Sequence, residues 1–126
     1  MKPFLRPLLL ALAAATTASG AGAHGAPPAK HGGIAHVVRD LTFELVAGPG
    51  GAVLHVEDHG KPLATAAMSG KLTVLNGAAK SEAALKPVGD NRLEAPGVKL
   101  GPGAKAVATI DTGTAKKTVT VRFALK

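Results

Sequence analysis

Between residues 41 and 58 apolar and polar side chains alternate with a period of two on both sides of a glycine-rich turn, which commits this stretch to a β-hairpin. Leu41, Phe43 and Leu45 alternate with Thr42, Glu44 and Val46. Gly48-Pro49-Gly50-Gly51 reads as a four-residue loop, and residues 53–58 resume the extended pattern. Closing the loop between Ala47 and Ala52 sets Leu45 opposite Leu54 and Phe43 opposite Val56, so both apolar pairs share the face that a core requires. The other face then carries Glu44 across from His55 and Thr42 across from Glu57. His55 is thereby predicted to point outward beside a carboxylate.

The rest of the chain repeats this style. Residues 71–75, 80–85, 104–110 and 118–125 are predicted strands, separated by turn signals at Gly60-Lys61-Pro62, Asn76-Gly77, Gly89-Asp90-Asn91 and Gly101-Pro102-Gly103. In the last strand Val119, Val121, Phe123 and Leu125 face one way and Thr118, Thr120 and Arg122 the other. Residues 63–68 have the composition of a helical turn but no cap. Short strands at this spacing predict an all-β fold: a small antiparallel β-sandwich (Ig-like) or small barrel over residues 34–126. No internal repeat or interdomain linker interrupts it.

Two segments precede that domain. Residues 1–23 carry Lys2 and Arg6, an apolar run at residues 8–15 and the small-residue ending Ala21-Gly22-Ala23, which together read as a secretory signal peptide. Its apolar run is far shorter than the roughly 20 residues needed to span a bilayer, and no later run is long enough to serve as a membrane anchor. Residues 24–33, punctuated by Gly25, Pro27, Pro28, Gly32 and Gly33, read as a flexible entry segment. The expected location is the periplasm.

All five histidines, His24, His31, His36, His55 and His59, fall within 36 consecutive residues, and the 67 that follow contain none. Neutral imidazole is the commonest protein metal ligand. With no cysteine and two methionines, the cluster points to a nitrogen-seeking divalent ion and away from a thiolate site. Cu(II) stands first in the affinity order for such donors, with Zn, Ni and Co also suited. His24, His31, His36, His55 and His59 are therefore the candidate metal ligands, with Glu44 and Glu57 as auxiliary groups.

Other functions find little support. The chain has 15 basic against 8 acidic side chains. Its lysines are scattered, though, and there is no Trp or Tyr to stack on bases, so no nucleic acid is expected as a partner. No Gly-x-Ser-x-Gly, His-Glu-x-x-His or cysteine nucleophile is present, and Asp40, Asp58 and Asp90 sit in turn positions, so no enzyme is expected. The alternative to a metal protein is a basic periplasmic interaction module with incidental histidines: His36 as strand filling, His55 as a cross-strand partner of Glu44, His59 as a turn residue, His24 and His31 in a tail. The oligomeric state is not encoded in any pattern here.

His31-Gly32-Gly33, Asp40-Leu41-Thr42-Phe43-Glu44-Leu45, Asp58-His59-Gly60-Lys61-Pro62-Leu63 and Leu85-Lys86-Pro87-Val88-Gly89-Asp90 lie in that order along the chain. Together they resemble the small metal-binding domain at the N-terminus of periplasmic adaptor subunits of heavy-metal efflux pumps. In that family a His-Gly-Gly opening leads into a strand, and an Asp-Gly-Lys-Pro turn follows the next. The resemblance covers about residues 31–90, with His59 standing as an insertion in the turn. It implies an all-β fold, a periplasmic role in metal resistance or delivery, efflux-pump components as partners, and His31 as the residue that transfers most directly.

Cleavage after Ala23 makes His24 the first residue of the mature chain, so that its α-amine and ring Nδ1 chelate one ion together; cleavage after Ala21 removes this arrangement. The α-amine, with an ordinary pKa of about 8, is blocked as a ligand by any added residue. A competition titration of Cu(II) is expected to rank the processed protein above a form carrying one extra N-terminal residue, and also above His24→Ala. Equal affinities would remove the terminus from the ligand set.

Overall fold

The computed structural model describes residues 27–114 and 117–126; the segment expected to be a signal peptide, the expected cleavage site and His24 lie outside them. Nine strands form, and there is no helix among the described residues: β1 (Ile34–Val38), β2 (Leu41–Gly48), β3 (Gly51–Asp58), β4 (Lys61–Pro62), β5 (Ser69–Asn76), β6 (Ala79–Pro87), β7 (Arg92–Pro96), β8 (Lys105–Asp111) and β9 (Thr118–Ala124). All pairings are antiparallel. The strands follow the order β1-β2-β3-β7-β6-β5-β8-β9, with β4 paired to β3. Two layers, β1-β2-β3-β7 and β6-β5-β8-β9, enclose the core. The short β6–β7 pairing, Lys86 with Glu94 and Pro87 with Leu93, joins them into one path. At the other margin β1 lies against β9, so the sandwich is close to a closed barrel.

The β2–β3 hairpin has the register that the alternation demands. Ala47 pairs with Ala52, Leu45 with Leu54, Glu44 with His55, Phe43 with Val56 and Thr42 with Glu57. The loop is tighter than expected: Gly48 pairs with Gly51, and only Pro49 and Gly50 turn the chain. The next turn is likewise shifted, because His59 and Gly60 make it while Lys61 and Pro62 pair back onto Asp58 and Glu57. Positive φ at His59 (51°) and Gly60 (79°) supplies the twist that a two-residue hairpin favours. Arg39 and Asp40 do the same between β1 and β2.

Phe43, Leu45, Leu54 and Val56 meet Leu72, Val74, Ile110, Val119, Val121 and Phe123 from the opposite layer in a single core. With one phenylalanine from each layer and no larger ring, branched aliphatics and alanines fill the volume. Residues 63–68 do not form a helical turn. They cross between the layers, and Thr65, fully buried, anchors the crossing by donating its hydroxyl to the Arg92 carbonyl at 2.7 Å.

Phe43→Ala is expected to lower unfolding stability by about 3–5 kcal/mol, the usual cost of emptying a core aromatic site. Val37, 55% exposed on β1, is expected to tolerate alanine within about 0.5 kcal/mol. Urea unfolding of both variants checks the faces; a reversed ranking would mean that the hairpin is slipped.

Candidate functional site

Three consecutive residues of β2, Phe43, Glu44 and Leu45, are buried, which an alternating strand allows only if something covers its outer face. The cover is the end of the entry segment. Glu44 is 3% exposed, and its carboxylate accepts backbone N–H bonds from Lys30 (2.9 Å), His31 (2.8 Å) and Gly33 (2.9 Å). His31 Nδ1 approaches Glu44 Oε1 at 3.0 Å as a fourth partner. A desolvated carboxylate is costly unless hydrogen-bonded, and here extended backbone with spare donors satisfies it.

The His-Gly-Gly opening is what lets the backbone come so close. Gly32 has a φ of 76°, where a side chain is strained. At Gly33 a Cβ would collide with the Leu45 carbonyl, so any larger residue would lift the segment off β2.

His31 is thereby laid flat on His55. Their ring centroids are 3.7 Å apart and their planes 2° from parallel. His55 stands in a row of the outer face with Glu44 on β2 and Arg92 on β7 as its direct cross-strand neighbours. Because an ionised carboxylate only accepts, His31 carries its proton on Nδ1 when neutral, and its Nε2 keeps a free lone pair. Next to this stack, Lys30 Nζ donates to Glu57 Oε2 at 2.7 Å and to the Gly60 carbonyl at 3.3 Å.

The charge states follow from these contacts. Burial pushes the Glu44 carboxyl up, but the His31 ring and the three backbone donors outweigh it and hold it below its ordinary value. His55 is held below the ordinary imidazole value, first by burial and then by His31 and Arg92, against the opposing pull of Glu44 and Glu57. It stays neutral, with a lone pair available, at neutral pH.

Of the other histidines, His36 pairs with Phe43 and so lies on the opposite face of the sheet from His55, its ring 5.4 Å from that of Phe123. His59 sits exposed in the β3–β4 turn with Nδ1 against Asp58. The structure thus brings together His31, His55, Glu44 and Glu57 and leaves His36 and His59 apart. Among the described residues no three His, Asp or Glu side chains converge on one point. The stack itself is a reason: a ligated ion lies in the plane of its imidazole about 2.0–2.1 Å from nitrogen, and two parallel planes share no such point. Lys30 and Arg92 are the members of the cluster that sequence reasoning missed. Arg92 was not legible because β7 is only five residues long, although its side chains alternate between exposed and buried. A cleft of about 530 Å³ between Ile34, Leu45, Leu100 and Leu125 is mainly apolar and is lined by none of the described histidines.

Stability is expected to fall in two stages on acidification. His55 has a lowered folded pKa, so its penalty is absent above the unfolded value of about 6.5 and grows as pH falls below it. Glu44 is also lowered, so its contribution is complete above about 4.5 and is lost as pH falls through the folded value. Urea titrations across pH should show His55→Ala flattening the upper stage. Glu44→Gln should flatten the lower one, at a cost of about 2 kcal/mol at neutral pH. Glu44→Gln should also release the amides of Lys30, His31 and Gly33 to rapid hydrogen exchange.

Compared with known proteins, the chain matches no family model, no curated protein and no solved structure.

Proposed function

We propose that this is an exported, periplasmic protein that binds a divalent transition metal, copper(II) foremost, and buffers it or hands it to an efflux or resistance system. The observation that carries the reading is the His31 ring, tied at Nδ1 to the Glu44 carboxylate beside a second, neutral imidazole. A carboxylate on one ring nitrogen fixes the tautomer, orients the ring and raises the basicity of the other nitrogen, which is how metal-ligating histidines are commonly held. His55 supplies the second nitrogen, and Glu57 an oxygen on the same face of β3.

A shared ion requires one ring to leave the stack. His55 is fixed by strands on both sides, so the movable ring is His31, whose side chain is 43% exposed and belongs to no strand. His36, on the far face, has no part in this set. His59, four residues beyond His55 in a turn, is an outer candidate, and His24 joins only through the processed terminus.

Calorimetric titration of the processed, untagged protein with Cu(II) at neutral pH is expected to show one site per chain that weakens below about pH 6, as the imidazoles protonate. His31→Ala and His55→Ala should each remove most of the affinity. Glu44→Gln should weaken binding about 10–100-fold, and His36→Ala should leave it unchanged. No heat in a weakly coordinating buffer would discard the metal reading in favour of the interaction module.

A further inference from the structure

The ion pair beside the histidine stack has a chemistry of its own. Glu57 is buried, 8% exposed, and lies two residues beyond His55 on the same face of β3. Its carboxylate is the one acidic oxygen donor of the cluster not already saturated by backbone, since Glu44 is engaged by four hydrogen bonds. Lys30 Nζ occupies it at 2.7 Å, from a side chain that is itself 51% exposed.

We infer that Lys30 is a displaceable counter-ion for Glu57, and that a divalent metal taken up at the His31–His55 face ejects its ammonium. This rests on the metal-binding reading and names how the same site is regulated. An ammonium and a divalent cation cannot both sit against one carboxylate without strong repulsion, and Lys30 is the partner free to leave. Its side chain moves into water at little cost in buried surface. Its backbone N–H remains bonded to Glu44, so the entry segment keeps its place when the ammonium departs.

The arrangement also sorts cations. Magnesium and calcium prefer oxygen donors and gain little from imidazole, so they recover little of what is lost when Lys30 leaves Glu57. An ion that takes the two ring nitrogens as well is compensated. Lys30 therefore favours nitrogen-seeking ions over hard ones at this face.

Amine acylation followed by mass spectrometry, on the full protein with and without saturating Zn(II), reads the release directly. Lys30 should be modified severalfold faster with zinc bound, while Lys71, paired with Glu82 on the other layer, keeps its rate. In parallel, Lys30→Met should bind Zn(II) severalfold more tightly than the unmodified protein. It should also gain affinity for Mg(II), and the Lys30→Met gain should vanish in a Glu57→Gln background. Zinc uptake with an unchanged Lys30 rate, or a Lys30→Met protein that binds no tighter, overturns the inference while leaving the metal reading intact. Absence of zinc and copper uptake by both proteins overturns the metal reading itself.

Discussion

The pairing of Leu45 with Leu54 sets the orientation of everything that follows on β2 and β3. With a side-chain period of two, slipping one strand by a single residue would turn its whole apolar set to solvent and drive its polar set into the core. In the observed register Phe43, Leu45, Leu54 and Val56 seal one layer of the sandwich, and Glu44, His55 and Glu57 are forced together on its outside. The candidate site is thus a by-product of core formation. Nothing holds Glu44 opposite His55 except the need to bury their neighbours.

Glu44 then creates a second requirement. A carboxylate at the centre of a covered face must be hydrogen-bonded, and the backbone N–H groups of the flanking strands lie in the plane of the sheet instead of pointing out of its face. The entry segment supplies them before it joins β1, with three N–H groups within four residues. Gly32 and Gly33 are the price of that approach, one for its φ and one for its missing Cβ. The same docking lays His31 on His55 and brings Lys30 to Glu57, so a single buried charge organises four neighbouring side chains.

Legibility in the sequence divides along the same line. The β2–β3 register was readable because alternation and a compact turn are local signals, and the inward face of β9 followed in the same way. β1, Ile34–Val38, and β7, Arg92–Pro96, were not read as strands. The first is nearly all apolar apart from His36, and the second is five residues long. Their assignment depends on neighbours: β1 on β2, and β7 on β3 and β6. At the site, Glu44 beside His55 was legible through the register. The stack of His31 on His55 was not, because it arises from hydrogen bonds between residues 11 to 14 positions apart. His36 falls on the other face from His55, because sequence proximity to His31 says nothing about the face on which a strand residue lies.

The cluster consists of one fixed half and one movable half. His55 and Glu57 sit on a strand paired on both sides at His55, and their positions are as rigid as the core beneath them. Lys30 and His31 project from a segment with no ladder hydrogen bonds of its own, anchored through its backbone while its side chains remain half exposed. Side-chain rearrangement here does not require the anchor to break, because the three N–H bonds to Glu44 are independent of where the Lys30 ammonium and the His31 ring point. Separating anchoring from rearrangement in this way supports the proposed uptake and release of an ion. The carboxylate that secures the backbone also orders the ring, and the proposed exchange of one cation for another moves only the Lys30 and His31 side chains, both already in contact with water.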